Sequence, residues 1–84
     1  MAFWCVVTGA SRGIGQAIAE QLIHSSPACR VMAISRSPLP SSLLIPERVE
    51  WMQGDITDAS VWASIHTIVT RSNLPLRSLI HNAG

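Results

Sequence analysis

Five apolar residues in a row, Phe3-Trp4-Cys5-Val6-Val7, are closed by Thr8-Gly9. A run without polar alternation, rich in aromatic and β-branched side chains, predicts a strand buried on both faces, as in a parallel sheet. From Gly13 the period changes. Ile14, Ala17, Ile18 and Leu22 recur at helical spacing with Glu20 and Gln21 off that face, and Ser25-Ser26-Pro27 ends the pattern. A second strand is predicted over Arg30 to Ser35, with Val31-Met32-Ala33-Ile34 at its centre. Pro38, Pro40 and Pro46 then mark a loop, with at most one helical turn around Leu43 to Ile45. Val49 to Met52 reads as a third strand, closed by Gln53-Gly54-Asp55. Asp58 is placed to cap a second long helix whose apolar stripe is Val61, Trp62, Ile65, Ile68 and Val69, and Asn73-Leu74-Pro75 ends it. Leu79-Ile80-His81 is the fourth strand. The order β-α-β-loop-β-α-β implies an α/β fold with a parallel sheet and right-handed crossovers. Sequential crossovers would order the strands 3-2-1-4, leaving the fourth as a bare apolar edge. There is no internal repeat and no sign of a second domain.

The junction between the first strand and the first helix carries the strongest chemical signal. In "VVTGASRGIGQAIAE", Val6 to Glu20, Gly9 permits a tight exit from the strand. Gly13 and Gly15 lack a β-carbon, so backbone can approach a phosphate and the helix can pack close to the sheet. The free N–H groups of the first helical turn and the positive end of the helix dipole complete an anion site. A glycine triplet alone is a weak signal; its strand-to-helix context makes it a pyrophosphate-binding candidate. The spacing Gly-x-x-x-Gly-x-Gly differs from Gly-x-Gly-x-x-Gly and lacks the Gly-Lys-Ser/Thr ending of an NTPase phosphate loop.

Composition narrows the setting. The 84 residues are 48% hydrophobic and only 13% charged, a core-like balance that suggests a piece of something larger. The net charge of +1 comes with six scattered arginines and no lysine, so neither nucleic-acid binding nor a membrane-surface patch is expected. Two cysteines, Cys5 and Cys29, are too few for a disulfide framework and read as buried free thiols in a reducing compartment. Met1 to Val7 is apolar but short and has no basic leader, and no stretch reaches the length of a membrane span. A cytoplasmic location is the expectation.

"TGASRGIG", then "GDITD", then "HNAG" after the fourth strand together resemble the N-terminal half of a short-chain dehydrogenase/reductase, over essentially the whole chain. The resemblance implies an incomplete Rossmann-like sheet, with residues 1–84 forming the N-terminal part of a single NAD(P)-binding domain. It also implies a cofactor-binding role for the loop residues Gly9, Ser11, Arg12, Gly13, Ile14 and Gly15. In such a sheet the end of the second strand reaches the adenosine ribose, where a carboxylate would suit NAD. Here that end is Ser35-Arg36, with no acid before Glu47. Arg36 and Arg12 are suited instead to bracket a 2′-phosphate, and in the resembled family arginines at these two places accompany NADP preference. NADP is therefore the expected cofactor and NAD the less favoured one. By the same resemblance Asp55 contacts the adenine amino group and Ile56 lies beside the ring. Asn82 ties the fourth strand to its neighbours, and Ala83-Gly84 passes the cofactor's ribose. His81, where the family often has another Asn, is expected to serve structure or backbone. His24 and His66 are expected to face solvent or pack, and the three tryptophans, Trp4, Trp51 and Trp62, to pack in the core or at its edge rather than to stack on a base.

The proton donor of the resembled family is a Tyr followed four residues later by a Lys, with a Ser nearby. This chain contains neither Tyr nor Lys, so no catalytic residue is assigned and the chain alone is expected to be inactive. The favoured reading is the NADP-binding portion of an oxidoreductase acting on a small carbonyl or alcohol. Homo-oligomers are expected only with the absent C-terminal half. A non-catalytic short protein that binds nucleotide or pairs with a relative is the alternative, and a methyltransferase- or epimerase-like half-domain is a third.

Overall fold

The structure is a computed structural model describing residues 1–81. It runs β1 Phe3–Thr8, α1 Gly13–Ser25, β2 Cys29–Ser35, a 3₁₀ turn Ser41–Leu43, β3 Val49–Gln53, α2 Ala59–Ser72 and β4 Leu76–Ile80. The four strands form one parallel sheet in the order β3-β2-β1-β4, the predicted topology. Register is continuous between β1 and β2, where Val6 faces Met32 and Val7 faces Ala33, and between β2 and β3, where Val31 faces Val49. Between β1 and β4 it shifts once, at Trp4/Cys5.

Alternation along the strands divides the core into two layers. Cys5, Val7, Cys29, Val31 and Ala33 point to the α1 side, where Ala19 and the loop residues Leu39 and Leu43 complete a buried cluster. Trp4, Val6, Met32, Ile34 and Met52 point the other way, onto Val61 and Ile65 of α2. Both faces of β1 and β2 are thus covered, as the unbroken apolar runs require. Each fully buried aliphatic side chain contributes about 1.5–3 kcal/mol relative to exposure.

Four local expectations are corrected. In α1 the sheet-facing stripe is Gly15, Ile18, Ala19, Leu22 and Ile23, while Ile14 and Ala17 are exposed. Small residues at Gly15 and Ala19 let the helix approach the sheet, which rotates Ile14 out to 69% exposure. The helical turn lies at Ser41–Leu43 rather than around Leu43 to Ile45, because Pro40 starts it and Pro46 disfavours helical backbone at the residue before it. Asp58 occupies the N-cap position of α2, but its side chain bonds no helix N–H; its Oδ2 accepts from the Asp55 N–H at 3.4 Å. Trp62 leaves the apolar stripe and is half-exposed, its Nε1 donating to the Ile56 carbonyl at 2.7 Å.

Arg48, just before β3, clasps the amino end of the sheet. Its guanidinium donates to the carbonyls of Ile23 at 3.2 Å, Ser26 at 2.9 Å and Cys29 at 3.0 Å. One carbonyl of the last turn of α1, that of Ile23, and the C-cap carbonyl of Ser26 thereby gain a donor. At the far edge, β4 pairs with β1 alone among the described residues, and Leu76 and Leu79 remain half-exposed there.

Candidate functional site

Parallel strands place all their carboxyl ends on one edge of the sheet, and a groove of about 710 Å³ opens there. It lies where the strand order reverses between β1 and β4, the place at which open α/β sheets bind ligands. The loop after β1 supplies Gly9, Ser11, Arg12, Gly13 and Ile14, the end of β2 supplies Ser35 and Arg36, and the loop after β3 supplies Gly54, Asp55, Ile56 and Thr57.

On the glycine-loop side, Gly13 opens α1 with φ +63°, a conformation that side chains rarely adopt. A β-carbon there would meet nothing within 4 Å, so the loop backbone is open to the groove at that point. Arg12 precedes it in an extended conformation, no side chain caps the helix, and its first turn holds no acid. The first backbone bond of this turn is Gln16 N–H to the Arg12 carbonyl at 3.4 Å. The N–H groups of Gly13, Ile14 and Gly15 therefore have no helical acceptor, and the positive end of the α1 dipole stands at the groove. Gly15 is buried in that turn and does not line the groove. The Arg12 side chain is exposed and makes no ion pair among the described residues.

On the opposite side, the loops after β2 and β3 are stapled together. Gly54 N–H donates to the Ser35 carbonyl at 2.9 Å, and Gln53 Nε2 donates to the Arg36 carbonyl at 3.3 Å. Ser35 is buried, accepting from Trp51 Nε1 at 2.9 Å and donating to the Ser37 carbonyl at 2.7 Å. Gly54 is fitted closely against α2: a β-carbon would stand 2.8 Å from Val61 Cγ2. Arg36 reaches across to form an ion pair with Asp55 Oδ2. The Asp55 carboxyl is held down at about 2, first by the Thr57 backbone N–H and next by the Arg36 guanidinium.

The sequence-predicted residues Gly9, Ser11, Arg12, Gly13, Ile14, Arg36, Asp55 and Ile56 thus come together around one groove. Asn82, Ala83 and Gly84 lie outside the described residues. His81, expected from the sequence to serve structure or backbone, has its Nδ1 3.1 Å from Thr8 Oγ1 and lines the groove beside β1. Sequence reasoning missed Thr57, which fixes Asp55, and Trp51 and Trp62, which hold Ser35 and Ile56. Trp4, buried as expected, donates its Nε1 to Ser72 Oγ at 2.8 Å. Only the Asp55-x-Thr57 spacing, an Asx-turn pattern, carried a local signal for any of these.

A groove with free helix N–H groups on one wall and a guanidinium on the other suits an elongated, multiply phosphorylated ligand. Among the described residues, no group of three or more His, Cys, Asp or Glu side chains could hold a metal ion, and no helix is long and apolar enough to cross a membrane.

Comparison with known proteins gives a concordant result. The family model described as short chain dehydrogenase matches residues 4–84. The chain is 33% identical over 82 residues to an uncharacterised oxidoreductase of Saccharomyces cerevisiae, YIR035C, covering 94% of this chain and 32% of that protein. The crystal structure of YIR035C, a short chain dehydrogenase/reductase, superposes with a TM-score of 0.80 over 99% of this chain and 34% of its own, at 31% identity. Galactitol 2-dehydrogenase of Rhizobium johnstonii is 34% identical over 82 residues, again 94% of this chain and 32% of the relative. YwfH, described as an NADPH dependent reductase involved in bacilysin biosynthesis, matches with a TM-score of 0.75 and 28% identity over 100% of this chain and 38% of its own. The chain spans about a third of the length of the relatives it matches.

Proposed function

The chain belongs to the short-chain dehydrogenase family, and from that premise we propose that its groove holds the adenosine and pyrophosphate end of NADP. The activity it would serve is hydride transfer between NADPH and a small carbonyl or alcohol substrate, with residues 1–84 as the N-terminal part of a single nucleotide-binding domain. The observation that carries the cofactor choice is Arg36. The first residue beyond β2 puts a guanidinium into the groove, where a ribose-binding carboxylate would favour NAD. The NADPH-dependent description of YwfH supports the same reading.

In this proposal the N–H groups of Gly13 and Ile14 receive the pyrophosphate, Gly15 lets α1 seat close to the sheet behind them, and Arg12 and Arg36 receive the 2′-phosphate. Asp55 and Ile56 meet the adenine, the first by hydrogen bonding and the second by apolar contact. When bound, the nicotinamide supplies or accepts hydride. The chain has no tyrosine or lysine to hold the proton that a carbonyl oxygen needs, so by itself it binds cofactor without turnover.

The test is the affinity of the complete protein for NADP⁺ and NAD⁺ before and after Arg36→Ala. A charge-assisted phosphate contact predicts a loss of about tenfold or more for NADP⁺, with NAD⁺ little changed. An equal loss for both cofactors overturns the assignment.

A further inference from the structure

Arg36 and Asp55 follow neighbouring strands, β2 and β3, and pair across the mouth of the groove. The two partners are held very differently. Asp55 Oδ1 accepts the Thr57 backbone N–H at 3.0 Å and the Thr57 hydroxyl at 3.2 Å, which leaves Oδ2 for the arginine. The Arg36 side chain is 79% exposed, against 27% for Asp55, and its bond to Asp55 is the one side-chain bond it makes among the described residues. The carboxylate is therefore the fixed member and the guanidinium the movable one. Before any ligand arrives, the carboxylate already engages Arg36 Nη2 and offsets its charge.

Resting on the reading of this groove as an NADP site, we propose that Asp55 is a specificity-determining residue that acts as the counter-ion of Arg36. A 2′-phosphate has to share or displace the Asp55 carboxylate, whereas an unphosphorylated ribose leaves the pair intact. Asp55 thus moderates the preference for a 2′-phosphorylated adenosine that Arg36 creates. To take the guanidinium, the phosphate has to displace or share the attraction between Arg36 and Asp55. At about 4 Å between charges in a water-like dielectric, this weakens the phosphorylated ligand by about three- to tenfold. Contacts to adenine are common to both ligands and cancel in the ratio of their affinities.

Calorimetric titration of the complete protein with 2′,5′-ADP and 5′-AMP, which differ in the 2′-phosphate, tests this directly. Asp55→Asn should raise the 2′,5′-ADP preference about three- to tenfold. Asp55→Ser, which keeps an oxygen for the Thr57 N–H, should do the same and separates charge from loop geometry. In an Arg36→Ala background the gain should vanish. An unchanged ratio in both Asp55 variants, with a lowered ratio in Arg36→Ala, overturns the counter-ion role and leaves the NADP reading standing. A gain that persists without Arg36 also overturns it, since the carboxylate would then act on the phosphate directly. An unchanged ratio in Arg36→Ala alone removes the NADP reading, and this inference with it.

Discussion

Alanine at Gly13 should separate ligand binding from folding, and alanine at Gly54 should not. At Gly13 the backbone has φ +63°, and holding a residue with a β-carbon there costs roughly 1–2 kcal/mol. The new methyl meets nothing within 4 Å, so no packing cost is added. It adds bulk to a residue that lines the groove, where the anion is proposed to approach the loop. NADP⁺ affinity should fall by about tenfold or more while the protein stays folded. At Gly54, with φ +154°, the methyl would lie 2.8 Å from Val61 Cγ2. Val61 is β-branched, 5% exposed and seated on the sheet-facing side of α2, so it cannot turn aside without moving the helix. Overpacking of about 1–3 kcal/mol adds to a backbone strain of about 1–3 kcal/mol. Their sum, roughly 2–6 kcal/mol, is a large share of the stability of a typical domain. Urea unfolding followed by tryptophan fluorescence reads the stability of each variant, and NADP⁺ titration below the transition reads binding. Equal destabilisation by the two substitutions, or binding by Gly13→Ala within about twofold of the parent, would refute the reasoning.

Two further outcomes follow from the titrating groups. The Cys29 thiol is pushed up to about 12 by burial and by the adjacent Cys5 thiol, so almost none of it is thiolate at neutral pH. Its reaction with a disulfide reagent should wait for unfolding, and fast labelling of the native protein would contradict the packing described. Asp55 lies at about 2 against an ordinary 3.8, so it contributes stability that is fully present above about pH 4 and lost as the pH falls toward 2. Asp55→Asn should flatten that acid limb and leave stability between about pH 5 and 8 unaltered in slope, which acid-dependent urea titrations would check.

Much of the architecture was readable because its signals are local. The Phe3 to Val7 and Val31 to Ile34 runs announce buried strands, and the glycines after Thr8 announce a turn into a helix. The α1 stripe was misread by one position because Gly15 and Ala19, which face the sheet, are too small to register as hydrophobic. Trp62 was counted as core on its apolar bulk, whereas its indole N–H seeks the Ile56 carbonyl and draws the ring to the surface. Arg48 gave no signal at all, since its partners are backbone carbonyls that any sequence possesses. Arg36 and Asp55 were each named as groove residues, but their pairing depends on the β2–β3 register that brings positions 19 apart together.

The Arg48 clasp lies at the opposite end of the sheet from the groove, and that distance has an evolutionary meaning. The amino edge fastens the end of α1 and the starts of β2 and β3 through a single side chain, and the tips of the carboxyl-edge loops are left with little structural duty. Exchanges at the exposed Arg36 and Ser37 side chains can therefore drift or be selected with little cost to the scaffold. A lineage could change the proposed ligand by a few substitutions at the rim, while Arg48 at the opposite edge keeps its hold on the carbonyls of Ile23, Ser26 and Cys29.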